Sequence, residues 1–247
     1  MAGNTFGKGL LHVLMLIAVD FDGTISCRDT SDDLFAEFGS VTEITALLVA
    51  GRITVAEYYD MALASLADTC TPEVLAQWLN SREIDSTFIS FLEWLRSTDC
   101  RLAVVSDGFD AYIYPILHNA GITIADVACN TMRYTPQGWR GGYPGASESC
   151  SCFCAGCKRN ALLQRLADDE VLVYIGDGMS DTCAVQFADV VFAKGYLASW
   201  CTEHRIPHHP WRRFSDIQRI LATKYATGAI RRRRQAHLAR KAAFINE

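Results

Sequence analysis

The chain has 247 residues, 50% of them hydrophobic, and a formal net charge of −5. That length carries one sizeable α/β domain, or a core domain with a smaller insertion, and no apolar run approaches the roughly 20 residues of a bilayer-spanning helix. The charge is uneven: Arg231, Arg232, Arg233, Arg234, Arg240 and Lys241 face only Glu247 at the end of the chain, leaving 17 bases against 27 acids before them, so an acidic body ends in a basic tail.

The first strand-like run, Val13–Val19, ends in "VDFDGT", where Asp20 and Asp22 flank one phenylalanine. Neighbouring carboxylates repel, so a chain that keeps them needs a cation, a proton or a chemical task to offset the cost. Lys8 ahead of this apolar run also fits a secretory signal, but cleavage after Ala18 would cut just before Asp20. From 26 to 84 only helical patterns follow: Leu34, Phe35 and Phe38; Ile44, Leu47 and Leu48; Val55, Tyr58, Tyr59, Ala62 and Leu66. In a parallel sheet ligands bind beyond the carboxyl ends of the strands, so an insertion here forms a cap over the site.

A helix with Phe88, Phe91, Leu92 and Leu95 on one face leads into a strand at Arg101–Val105 that ends in "VVSDGFD". A third strand is expected at Ile122–Cys129, and "YTPQGWRGGY" from Tyr134 to Tyr143 reads as a hairpin or irregular excursion. Lys158 opens a helix carrying Ala161, Leu162 and Leu166; strands at Val171–Ile175, ending in "YIGDGMSD", and Val190–Phe192 complete the series. Strands interleaved with helices imply a mostly parallel, Rossmann-like sheet covered on both faces, a three-layer α/β/α core. The expected division is a core at 1–25 and 85–230, a helical cap at 26–84 and a basic tail at 231–247.

Each motif alone has an ordinary explanation, since Asp-Gly pairs form turns and a Ser after a strand often caps a helix. Together, carboxylates from two strand ends make an oxygen-rich site suited to Mg²⁺, with Ser106 and Lys158 completing a phosphate cradle. The four segments, in this order and spacing over residues 13 to about 195, resemble the four motifs of the haloacid dehalogenase superfamily of phosphotransferases. The resemblance implies Asp20 as nucleophile through an aspartyl-phosphate and Asp22 as the acid and base. It implies Mg²⁺ on Asp20, the backbone carbonyl of Asp22 and Asp177, with Asp181 orienting a water or Lys158. Ser106, Lys158 and the amides around Gly23 and Gly108 would surround the phosphoryl oxygens, with Thr24 a structural helper.

The helical insertion resembles the small C1-type cap of the phosphoserine phosphatase branch. Closer likenesses are to the salvage phosphatases for 2-hydroxy-3-keto-5-methylthiopentenyl-1-phosphate and to the phosphocholine and phosphoethanolamine phosphatases. The salvage enzymes usually carry Gly after the motif Ser; this chain has Asp107, as the phosphocholine enzymes do. Asp107 is thus either a neighbour for a cationic head group or a helix N-cap. Arg28, Asp29 and Asp32 are candidate substrate readers or solvated surface charge.

Cys150, Cys152, Cys154 and Cys157 precede Lys158. They fit a structural Zn²⁺, a disulfide or reduced packing thiols, and with no His nearby none is expected to be a catalytic nucleophile. Their clustering points to a reducing, cytoplasmic setting. His204, His208 and His209 read as a proline-bounded surface loop. The arginine run reads as a solvated helix or frayed end, with neither membrane nor nucleic acid expected as partner. The sequence therefore points to an Mg²⁺-dependent hydrolase of a small phosphomonoester metabolite. The alternatives are a phosphomutase or phosphotransferase on the same core, or a non-catalytic ligand-binding regulator; the oligomeric state is left open.

Overall fold

The computed structural model describes residues 13–147, 152 and 154–245, with side chains through 243. Its centre is β1 (Met15–Val19), five aliphatic and sulfur-bearing residues with no exposed surface. A strand buried on both faces needs no polar alternation. On one side β1 pairs in parallel with β2 (Arg101–Phe109), and on the other with β5 (Val171–Gly176). Outward from β2 come β3 (Val127–Thr135) and the antiparallel β4 (Gly138–Gly142). Outward from β5 come β6 (Val190–Ala193) and a two-residue β7 (His209–Pro210). The order is β4-β3-β2-β1-β5-β6-β7, parallel except for the β3–β4 hairpin.

Four helices follow β1 without a strand: α1 (Thr30–Phe38), α2 (Thr42–Val49), α3 (Val55–Ala64) and α4 (Pro72–Leu79). Asp29 caps α1 by accepting the N–H of Asp32 at 2.9 Å, and Thr54 and Glu57 close a reciprocal capping box on α3, each satisfying helix donors that would otherwise lack partners. Pro72 occupies the first turn of α4, where its missing N–H costs nothing. The two connections into this insertion are zipped by an isolated Ser26–Ile84 bridge and by Cys27 N–H donating to the Glu83 carbonyl at 2.9 Å.

The insertion is also tied to the hairpin. Trp139 of β4 donates its indole N–H to the Cys70 carbonyl at 2.7 Å, and Tyr143 donates to Asp60 at 2.8 Å while stacking on Tyr59. Leu34, Phe35, Tyr58 and Leu63 join the same apolar cluster as Ile17, Val104 and Ile175, so the insertion shares its core with the sheet.

The remaining helices cover the sheet: α5 (Phe88–Arg96), α6 (Asp110–Asn119), α7 (Lys158–Arg165), α8 (Ala184–Phe187), α9 (Gly195–Glu203), α10 (Phe214–Ala226) and α11 (Arg234–Ile245). Two expectations are corrected here. The third strand begins at Val127, five residues later than the aliphatic run Ile122–Cys129 implied, because Ile122 instead packs into the core after the α6 turn. The basic tail is not simply solvated: α11 lies on α8, Arg240 is 8% exposed, and its guanidinium meets the Asp189 carboxylate at 3.1 Å and the Phe187 carbonyl. No described helix is long and apolar enough to cross a membrane.

Candidate active site

Sheet register builds the site. Val19 stands opposite Val104 on one side and Ile175 on the other, so the residues just beyond this rung, Asp20, Ser106 and Asp177, emerge together at the carboxyl edge. Asp20 stays in the ladder through its N–H, which donates to the Ile175 carbonyl at 2.9 Å. The chain then makes a tight turn over Phe21–Ile25, in which Gly23 adopts φ +68, a left-handed conformation suited to glycine. A side chain at Gly23 would also collide with the Asp177 carboxylate. Likewise, one at Gly108 would collide with the Tyr112 hydroxyl and Asp22.

Carboxylate oxygens of Asp20, Asp177 and Asp181 all lie within 4.8 Å of one another. Between two of them sits Lys158, 2% exposed, its ammonium 2.7 Å from Asp20 Oδ1 and 2.6 Å from Asp181 Oδ1. Burial works against this ammonium, but Asp181 and Asp20 outweigh it and hold Lys158 protonated. Even so, burial and then the Asp181 charge push the Asp20 carboxyl well above its ordinary range, and the same causes push Asp177 up to about 6. One ammonium does not balance three carboxylates.

Asp181 is fully engaged by protein donors. Its Oδ1 accepts Lys158 and the Tyr174 hydroxyl at 2.6 Å, and its Oδ2 accepts the N–H groups of Asp177 and Gly178 at 2.9 and 3.0 Å. It therefore fits an orienting role better than direct coordination. Asp20 Oδ2 and Asp177 Oδ2 carry no protein hydrogen bond among the described residues, while Asp177 Oδ1 accepts Thr24 Oγ1 at 2.8 Å. A charge-rich, oxygen-only donor set of this kind fits a small hard divalent cation.

Asp22 is held apart from that cluster. Its Oδ1 accepts the Thr30 N–H at 2.9 Å and its Oδ2 accepts the Tyr112 hydroxyl at 2.6 Å. Burial, then the nearby Asp29 charge, pushes its carboxyl up to about 7, where an acid can both give and take a proton near neutrality. Ser106 Oγ accepts the Gly108 N–H at 2.9 Å, leaving its own proton for a ligand. The Gly23 amide turns instead toward Ser26 Oγ and the Arg28 carbonyl at 3.2 and 3.3 Å.

Above these groups lies a cavity of about 380 Å³, floored by Asp20, Asp22, Ser106 and Asp177 and roofed by Asp29, Asp32, Leu48, Val55, Tyr58 and Tyr59. Among the described residues that line it there is no Lys or Arg. Burial and the adjacent Asp29 push Asp32 up to about 6. Arg28 is not brought into the cavity: it is exposed and pairs with Asp33 at 2.5 Å. Asp107 caps no helix, since α6 begins after Phe109. Its oxygens accept the N–H groups of Ala155 and Gly156, 48 and 49 residues away. Among the described residues the Asp20–Asp177–Asp181 group is the one set of three or more ligand-type side chains close enough to share an ion, and no cysteine belongs to such a set. Cys157 is buried ahead of Lys158; Cys150 lies outside the described residues, and the zinc expectation gains no support.

Tyr112, Tyr174 and Asn130 touch the machinery without having been singled out in the sequence. Each sits within a periodic or β-rich pattern where aromatics and amides pass as ordinary packing residues, so no local signal marks them.

The model of the haloacid dehalogenase-like hydrolases matches residues 17–186, which spans every one of these groups. The chain belongs to this family. It is 26% identical over 203 residues to the 2-hydroxy-3-keto-5-methylthiopentenyl-1-phosphate phosphatase of Bacillus cereus, covering 81% of this chain and 92% of that one. It is 27% identical over 211 residues to the phosphatase of the same name from Bacillus cytotoxicus, covering 83% and 94%. In fold it resembles a phosphoserine phosphatase solved as a phospho-aspartyl intermediate analogue, with TM-score 0.62 and 18% identity over 85% of this chain and 99% of that one. A probable phosphoserine phosphatase from Vibrio cholerae gives TM-score 0.63 and 17% identity over 89% and 68%.

Proposed function

We propose that this haloacid dehalogenase-like hydrolase is a divalent-cation-dependent phosphatase that hydrolyses a small phosphomonoester through a covalent phosphate on Asp20. The observation that carries this reading is the buried Lys158 ammonium bridging Asp20 and Asp181, with Asp177 beside it and a second acid, Asp22, poised two residues on. An ion pair buried this deeply is costly to maintain for stability alone. The relatives are named as phosphatases, and the phosphatase class follows from that and the family match.

In the first step a carboxylate oxygen of Asp20 forms a bond to phosphorus while the bond to the leaving oxygen breaks, and Asp22 gives its proton to that oxygen. In the second, water attacks the phosphoryl group as Asp22 takes its proton back; inorganic phosphate leaves and Asp20 is regenerated. Lys158, Ser106 and the Gly108 segment surround the phosphoryl oxygens, where transition-state charge is spread. Mg²⁺, when bound by Asp20, Asp177 and the Asp22 carbonyl, supplies the positive charge that the three carboxylates and an incoming phosphate lack.

The roof narrows the substrate. Asp29 and Asp32 with no lining base disfavour a second acidic group, while Leu48, Val55 and Tyr58 suit a short apolar or cationic tail. A small phosphomonoester whose remainder is neutral or cationic fits this cavity. Asp20→Asn should abolish Mg²⁺-dependent hydrolysis of p-nitrophenyl phosphate while leaving the circular dichroism unchanged; retained turnover would sink the assignment. Product analysis separates hydrolysis from transfer, because a phosphotransferase or mutase would deliver a phosphorylated acceptor in place of inorganic phosphate.

A further inference from the structure

Asp107 has no part in the steps above, yet few groups in the molecule are more heavily engaged. It is 7% exposed, and its Oδ1 accepts the backbone N–H groups of Ala155 at 2.9 Å and Gly156 at 2.6 Å. Asn130 of β3 braces it from behind, donating to the Asp107 carbonyl oxygen at 2.6 Å and to Oδ1 at 3.2 Å. From the cap side the Tyr59 hydroxyl approaches Oδ2 at 3.5 Å. The donors at 155 and 156 belong to the short irregular segment that leads directly into Lys158, whose next amide, Cys157 N–H, donates to the Gly145 carbonyl at 2.7 Å.

Lys158 is the first residue of α7, and the irregular segment that leads into it has no ladder or helix of its own to fix where that helix starts. Its amides need acceptors from elsewhere. Asp107 provides them from the residue next to Ser106. Its Oδ1 faces three N–H donors, charge-assisted bonds that tie the carboxylate to the protein, while the residue also borders the cavity.

We propose that Asp107 is a positioning residue: by strapping residues 155–156 to the end of β2 it sets the reach of Lys158 toward Asp20, and through Tyr59 it joins that reach to the seating of the cap. One strand end thereby fixes two parts of the phosphate cradle, Ser106 directly and Lys158 through the loop. The catalytic part of this inference rests on the phosphatase reading; the strap itself does not.

The test compares wild type, Asp107→Asn and Asp107→Ala on p-nitrophenyl phosphate with Mg²⁺, a substrate without a cationic group. Misplacing a catalytic group by about 1 Å costs on the order of 10²-fold, so Asp107→Ala should lower kcat by about that factor with KM within about threefold of wild type. Asp107→Asn keeps an oxygen for the two amides and should restore kcat to within about tenfold of wild type. Hydrogen exchange at the amides of 155 and 156 should quicken in Asp107→Ala and remain slow in Asp107→Asn. An unchanged kcat in the alanine variant, a loss that falls on KM, or an asparagine variant as damaged as the alanine one overturns the proposal. If Asp107→Ala does not fold, Asp107→Ser, too short to reach the segment, replaces it with the same expectations. If wild type leaves p-nitrophenyl phosphate intact, the phosphatase reading fails while the exchange measurement still decides the strap: amides 155 and 156 exchanging as fast in wild type as in the alanine variant overturn it.

Discussion

On the floor of the cavity the acidic groups are locked by the sheet. Asp20 and Asp177 follow the same β1–β5 rung, and Asp181 is saturated by an ammonium, a phenol and two amides. On the roof Asp29 and Asp32 stand at the start of α1; among the described contacts the Asp29 carboxylate accepts only the Ser31 hydroxyl and the Asp32 amide, and Asp32 feels Asp29 and Asp33 as like charges. The floor is therefore held in place by the protein yet short of positive charge, the roof acidic and open to a ligand. Chemistry needs the first, because a misplaced nucleophile loses rate steeply; discrimination between substrates needs only the second.

The contrast can be broken at its strongest point by Asp22→Asn. It removes the exchangeable acid while keeping the shape that accepts Thr30 and Tyr112, and kcat should fall by about 10²–10⁴-fold. Steady-state kinetics that show a loss under tenfold would put the acid elsewhere. A gentler probe acts on the roof. Phosphoethanolamine should be a better substrate than phosphoserine, which differs by one carboxylate, and Asp32→Lys should shift that preference by about fivefold toward phosphoserine, the size expected of a charge at the rim of a cavity. A variant that alters both substrates equally would show that Asp32 does not face the leaving group.

The smallest effect sharpens the account of the floor. Burial raises Asp22 to about 7 and Asp177 to about 6, so the folded protein holds protons more tightly than the unfolded chain. The stability this gives is fully present below the unfolded carboxylate range near 4 and is lost as pH rises through about 6 to 7. Without divalent cation, the thermal midpoint should be higher at pH 5.5 than at pH 8, each kcal/mol moving it by about 2–4 °C. Mg²⁺ should raise the midpoint more at pH 8. Equal midpoints at both pH values would mean that the carboxylates are compensated without metal.

The floor was largely legible in the sequence, because a residue at a strand end inherits its place from a hydrophobic run that is easy to see. Asp20, Ser106 and Asp177 each follow such a run. Groups held by distant partners were not legible. The donors to Asp107 lie 48 and 49 residues downstream, so adjacency offered only a helix cap or a substrate contact. The third strand was misplaced because Ile122 and Ile124 have strand-like character yet pack as a connector, while much of the true strand pairs with β4 and carries polar residues. β7 reads as loop in the sequence because Pro207 and Pro210 demote a strand pattern; in the fold it is two residues on the sheet edge, where proline is tolerated. The arginine run was assigned to solvent because only tertiary structure reveals the carbonyls that receive it.

The Asp189 carboxylate receives Leu172 N–H from β5, Arg233 N–H and the Arg240 guanidinium, and its side chain has no exposed surface. A chain cut at residue 230 would keep every reacting group and still strand this anion inside the flank of the sheet. Losing one partner of a buried pair of this kind costs about 3–5 kcal/mol. The final helix is thus a keystone for an arch whose working face lies on the other side.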